Sequence, residues 1–221
     1  FYSLIFAFPS AILLALLLNE VKCNKFKRVV QTVSYLPHFL SAVIVCGMVR
    51  QLLTVDGGLV NTIINAFGGE PIYFLGSTRF YRTYYVASGV WQGIGWSSIV
   101  YLAAMGNIDT SLYEAAELDG AGIIKKMWYV TLPALLPIIS ITLILQVGSL
   151  LSVGHEKTLL LYSTLNYEVS DIISTYVYRE GLVGMQYSYT AAVDLFTSVV
   201  NLVLVLSCNW AAKKMGQEGV W

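Results

Sequence analysis

Charge is scarce in this sequence. Thirteen Lys or Arg and thirteen Asp or Glu make up 12% of the 221 residues, about half the share carried by an ordinary soluble domain. The net charge is zero, which excludes a nucleic-acid binder working through overall basicity and leaves only the placement of charges to argue from. Cysteine is sparse too. Cys23, Cys46 and Cys208 are scattered and form no C-x-x-C pair, so neither a zinc site nor a disulfide framework is expected. No G-x-x-x-x-G-K-[ST] loop occurs, so the chain has no phosphate cradle of that kind with which to use ATP. His155-Glu156 begins like the helical zinc motif H-E-x-x-H, but position 159 is Leu159. Asp119-Gly120-Ala121 begins like a lipid phosphotransferase motif, and the later aspartates are absent. No catalytic residue, metal site or cofactor is expected.

What is present is apolar surface, 57% of all residues, gathered into blocks. A hydrocarbon core of about 30 Å needs roughly 20 helical residues. Five uncharged stretches meet that length and predict spans at about 1–19, 29–49, 84–107, 129–153 and 195–212. They lack the alternation of barrel strands, and backbone satisfaction in lipid then requires helices. The segments 20–28, 109–126 and 213–221 hold eight basic residues in 36 positions, against five in 73 for 50–82 and 155–194. The positive-inside rule assigns the first set to the cytoplasm. Pro9 and Pro37 fall inside spans and require neighbours to satisfy freed carbonyls, whereas Pro133 and Pro137 sit in the first turns of the fourth. Gly89 and Gly93 form a G-x-x-x-G, either a close-packing helix seam or ordinary transmembrane glycine. His38, alone within the second span, is read as a packing or pore-lining residue, since no second ligand lies nearby.

The cytoplasmic loop 109–128 carries the most local information. Asp109 can cap a helix, and Ser111 with Glu114 has capping-box spacing. Gly120 and Gly122 end that helix and permit a left-handed turn. A second amphipathic piece from Ile123 leads into the fourth span. Small alanines flanked by acid suit a helix that inserts into the groove of another protein.

Glu114-Ala115-Ala116, three residues, Gly120, nine residues, then Val130-Thr131-Leu132-Pro133 resembles the EAA motif of ABC importer permeases, EAA-x3-G-x9-I-x-L-P, with Val for Ile as the one departure. Residues 11–37, Gly57 through Asn61, Tyr73 through Gly76 and Asp171 through Arg179 are similar to the LplB-type branch of sugar permeases. The resemblance implies an all-α, polytopic transmembrane bundle of the type I ABC importer (MetI-like) fold in a bacterial plasma membrane. Members usually have six spans, so five are expected here, with an N-terminal span and its external loop lying upstream. It also implies partners: a cytoplasmic ATPase dimer that binds the ATP, a second permease subunit and an extracytoplasmic solute-binding lipoprotein. Glu114, Ala115, Ala116, Gly120, Val130, Leu132 and Pro133 would form the coupling element that docks on the ATPase.

A substrate path must be lined by polar groups that are costly facing lipid. Trp91, Gln92, Trp96 and Ser97 in the third span, Gln146 in the fourth and Asn201 in the fifth are the candidates. Each could equally make an interhelical hydrogen bond. Carbohydrate as cargo follows from the resemblance. A permease for a peptide or amino acid, and an ATP-independent channel or secondary transporter, remain alternatives at this level.

Overall fold

The computed structural model describes residues 2–151, 154–216 and 219. Every regular element among them is helical. In chain order these are α1 (Tyr2–Glu20), α2 (Asn24–Tyr35), α3 (Ala42–Leu53), α4 (Leu59–Ala66), α5 (Thr78–Met105), α6 (Thr110–Leu118) and α7 (Ile123–Lys126). They are followed by α8 (Leu132–Gly148), α9 (His155–Leu161), α10 (Tyr167–Ser170), α11 (Ile173–Val177) and α12 (Tyr187–Lys214). Met127–Thr131 forms a π-helical turn between α7 and α8, so Ile123–Gly148 runs as one rod. The widened turn comes just before Pro133, whose ring and missing N–H disturb the regular ladder there.

Three helices are long and apolar enough to cross a membrane: Tyr2–Glu20, Ile123–Gly148 and Tyr187–Lys214. They contain the stretches expected at 1–19 and 195–212 and most of that expected at 129–153, whose helix ends at Gly148 with Ser149, Leu150 and Leu151 in a turn beyond it. Phe1, Ser152 and Val153 lie outside the described residues. The stretch 29–49, expected as a single span, is folded by 101° between Asn24–Phe39 and Ala42–Leu53. Pro37 sits in the 3-10 turn Leu36–Phe39. Leu40 is extended, and Ser41 then caps α3 by accepting a hydrogen bond from Ile44 N–H. The stretch 84–107 falls mostly within α5, which at 28 residues is about 42 Å long. This helix is less apolar than the other three because it is the central one. It packs against α1, α2, α3, α8 and α10, and its polar groups meet protein. Ser88 and Ser98 donate back to Tyr84 O and Gly95 O of their own helix.

Small residues decide how closely the helices approach. Ala11 and Ala15, one turn apart on α1, are buried against Tyr101 and Met105 of α5, with Leu135 of α8 in the same cluster. Gly95 is buried where α5 meets the end of α2, and a Cβ there would collide with the backbone carbonyl of Ser34. G-x-x-x-G at Gly89 and Gly93 is not the helix seam its spacing suggests. A Cβ at Gly93 meets nothing within 4 Å, and one at Gly89 approaches only Lys157 Nζ at 3.2 Å.

At the opposite end of α5, Cys46, Tyr81, Tyr84 and Leu161 form a second buried cluster. Here Asn61 closes the loop after α3. Its amide donates to Thr54 O (2.9 Å) and Ile72 O (3.0 Å), and its carbonyl accepts from Ile72 N–H at 2.8 Å. The side chain is 1% exposed, so its loss strands three backbone groups. Asn61→Ala is expected to destabilise the protein by about 3 kcal/mol, seen as a lower thermal midpoint of the purified protein.

Candidate functional site

Two regions concentrate the residues singled out by sequence. The first is the cytoplasmic hairpin α6–α7. Asp109 caps α6, its carboxylate accepting from Ser111 N–H at 2.9 Å, and that hydrogen bond holds its carboxyl below the usual range. The capping box expected at Ser111 and Glu114 does not form, because Asp109 already occupies the cap and Ser111 lies in the first turn. The other end closes as a Schellman motif, with Gly120 N–H donating to Glu117 O and Ala121 N–H to Ala116 O. Gly120 has φ +75° as that turn requires. Gly122 is extended at φ −71° and starts α7.

The hairpin is fastened to the rod that follows it. Tyr113 Oη and Thr131 Oγ1 are 2.9 Å apart, with Thr131 fully buried. Lys126 Nζ donates to Glu117 Oε1 at 2.6 Å, a contact that lowers the glutamate pKa. Of the motif residues, Glu114, Ala115, Gly120 and Pro133 are exposed, whereas Ala116, Val130 and Leu132 are half-buried. Leu118 is 91% exposed beside them. The arrangement is a rigid, short helix that presents small and apolar groups outward and is joined by side chains to Ile123–Gly148. A double-mutant cycle of Tyr113→Phe and Thr131→Val is expected to return a coupling of about 1 kcal/mol in thermal unfolding.

The second region is a cavity of about 640 Å³ between α1, α5 and α8, reached also by Gly154 and Lys157. Its volume is within the range of about 300–1,000 Å³ common for small-molecule sites. Of the polar candidates, Gln92, Trp96, Ser97 and Gln146 line it, together with Gly89 and Gly93. Two of these also have structural work. Gln92 Nε2 donates to Leu40 O at 2.9 Å, satisfying a carbonyl at the break before α3. Trp96 stacks on His38 with ring centroids 4.6 Å apart and planes within 3°. This gives His38 a packing role, and no cluster of metal-ligating side chains occurs among the described residues. Trp91 departs from the expectation. It faces a different cavity, on the side of α5 turned toward α3, with Val45, Met48 and Leu52. Asn201 is not among the residues lining the large cavity either.

Sequence reasoning missed Tyr85, Tyr101, Thr142 and Lys157 on the cavity wall. Tyr101 Oη and Thr142 Oγ1 are 3.0 Å apart and link α5 to α8. The spacing 85, 89, 92, 96, 100 along α5 is a helical signal that could have found Tyr85. Nothing local places Lys157, which comes from the segment after α8.

Comparison with known proteins fits this architecture. The polygalacturonan/rhamnogalacturonan transport system permease protein YteP of Bacillus subtilis (strain 168) is 50% identical over 214 residues, covering 97% of this chain and 67% of that protein. Protein LplB of the same organism is 44% identical over 218 residues, covering 99% of this chain and 69% of that one. A chain in the crystal structure of a bacterial alginate ABC transporter, in complex with alginate pentasaccharide-bound periplasmic protein, superposes with a TM-score of 0.96 at 43% identity. The match covers 99% of this chain and 76% of that chain. Residues 4–217 match one family over nearly their whole length. The chain therefore belongs to the binding-protein-dependent transport system inner membrane component family.

Proposed function

We infer that the chain is the transmembrane permease subunit of an ATP-driven ABC importer for carbohydrate, resident in the inner membrane. The observation that carries this reading is family membership over residues 4–217, joined to relatives that are transport permeases for polygalacturonan, rhamnogalacturonan and alginate. Five crossings are made by α1, the bent pair α2–α3, α5, α8 and α12. The α6–α7 hairpin and the Lys213–Lys214 end lie on the cytoplasmic side. ATP is bound and hydrolysed by a separate ATPase dimer, and α6 docks on it through Glu114, Ala115, Ala116 and Gly120. The exposed position of this helix and its ties to the α8 rod support that role, since a push on α6 is passed to a span as a rigid-body movement. A second permease subunit completes the pore. The apolar face of α12, with Leu195, Phe196, Leu202 and Val203 exposed, is covered by lipid or by that subunit. A solute-binding lipoprotein delivers cargo from outside, and Gln92, Trp96, Ser97 and Gln146 line its path.

The test is reconstitution of the chain with its ATPase, second permease and binding protein in proteoliposomes, followed by uptake of labelled oligosaccharides. Accumulation that needs both ATP and the binding protein is expected. Uptake by the chain without ATP would instead identify a channel or secondary transporter.

A further inference from the structure

The large cavity adjoins a second one of about 380 Å³, and the two share Ser3, Tyr85, Val86 and Gln146 in their walls. The charge on this joint surface is one-sided. Among the described residues, no Asp or Glu lines either cavity, whereas Lys157 lines the larger and Arg82 the smaller. Neither cation belongs to an ion pair among the described residues, where the pairs are Lys126–Glu117, Arg179–Asp171 and Arg179–Glu180.

Lys157 is held in position. Its Nζ donates to Tyr85 O at 2.7 Å and lies 4.7 Å from the centre of the Tyr85 ring. Gly89 makes room for it, since a Cβ there would stand 3.2 Å from Nζ. An ammonium has three donors, and this carbonyl takes one. A neutral amide would serve the carbonyl equally well, without the cost of holding a charge away from bulk water. Arg82 offers a planar fork that matches a carboxylate in a bidentate manner, and it rests 5.8 Å from the Tyr2 ring. Between the two cations the walls supply the remaining needs of a sugar. Tyr85, Trp96 and Tyr101 offer rings for C–H faces, and Gln92 and Gln146 offer amides for hydroxyls.

We propose that the joined cavities bind a carboxylated oligosaccharide of uronate units, with Lys157 and Arg82 as the groups that recognise its carboxylates. This rests on the carbohydrate reading above and adds a charge requirement to it. The site selects by the unpaired cations: a uronate brings the missing counter-charge, and a neutral sugar of the same shape leaves it missing.

The test is equilibrium binding of labelled trigalacturonate, and of its carboxyl-reduced neutral counterpart, to the purified permease–ATPase complex without binding protein. Leaving that protein out prevents its own selectivity from deciding the result. Trigalacturonate is expected to bind at least tenfold more tightly than the neutral probe, and added salt is expected to weaken only the acidic one. K157Q is expected to lose about tenfold for trigalacturonate, K157R to stay within threefold, and R82Q to lose severalfold. Equal affinity for both probes, or unchanged trigalacturonate binding in both K157Q and R82Q, overturns the proposal. Should K157Q fail to assemble, the two probes on the wild-type complex and the exposed-site variant R82Q still decide. ATP-driven uptake of oligosaccharide without binding of trigalacturonate overturns the proposal and leaves the carbohydrate reading standing. Absence of any oligosaccharide uptake removes both.

Discussion

Ala115→Trp is expected to cut ATP-driven uptake by the assembled transporter more than tenfold while the protein remains in the membrane at its normal level. Ala115 is exposed in the middle of α6, so a larger side chain there points outward and costs the fold little. A partner groove shaped for a small side chain would be blocked by it. Gly120→Val reaches the same element from its backbone. At φ +75° a side chain costs about 1–2 kcal/mol, and β-branching adds to that strain. That strain is relieved by opening the Schellman turn in which Gly120 and Ala121 close the helix, and uptake is expected to fall with Gly120→Val as well, but less than with Ala115→Trp. Uptake is measured in proteoliposomes and membrane level by quantitative blotting. Full uptake with Ala115→Trp at normal level would show that this surface is free.

Gly95→Ala is expected to destabilise the protein by forcing α2 and α5 apart. Its Cβ would collide with the Ser34 carbonyl, and Tyr35 N would lie only 2.9 Å away. Both neighbours are backbone, so no side chain can swing aside, and α2 must move away from α5. Overpacking of this kind costs about 2–3 kcal/mol, or a fall of about 5 °C or more in the thermal midpoint for a chain of this size. The shift also disturbs the break after Tyr35, where His38 stacks on Trp96 and Gln92 holds Leu40 O. Gly93→Ala is the matched control, since its Cβ meets nothing within 4 Å, and its midpoint is expected to stay within about 1 °C. Equal midpoints for the two variants would mean that α2 and α5 do not pack through Gly95.

These two glycines show what a sequence can and cannot carry. The apolar blocks behind α1, α8 and α12 were legible because lipid leaves a long uncharged run no alternative to a helix. The α6 hairpin was legible because caps and left-handed turns are set by residues within a few positions, here Asp109 and Gly120. Gly95 was not, since its role depends on Ser34, sixty-one positions away. The same reason hid the 101° fold of the second stretch. Pro37 announced a disturbance, but the break is completed by Gln92 from α5. Trp91 turns to another cavity although Gln92 beside it lines the large one, whereas the adjacent Trp96 and Ser97 both line it. The facing of each residue therefore depends on how neighbouring helices pack and not on α5 alone. Lys157 lay in a segment whose docking against Tyr85 no local pattern encodes.

The central claim is that α6 receives mechanical work from a separate ATPase. A photo-cross-linking amino acid placed at Leu118, 91% exposed on that helix, tests it in intact cells expressing the whole transporter. The account predicts one dominant adduct, with the nucleotide-hydrolysing subunit, whose yield changes when ATP is depleted. Adducts with lipid or with the permease partner alone, and none with the ATPase, would contradict it.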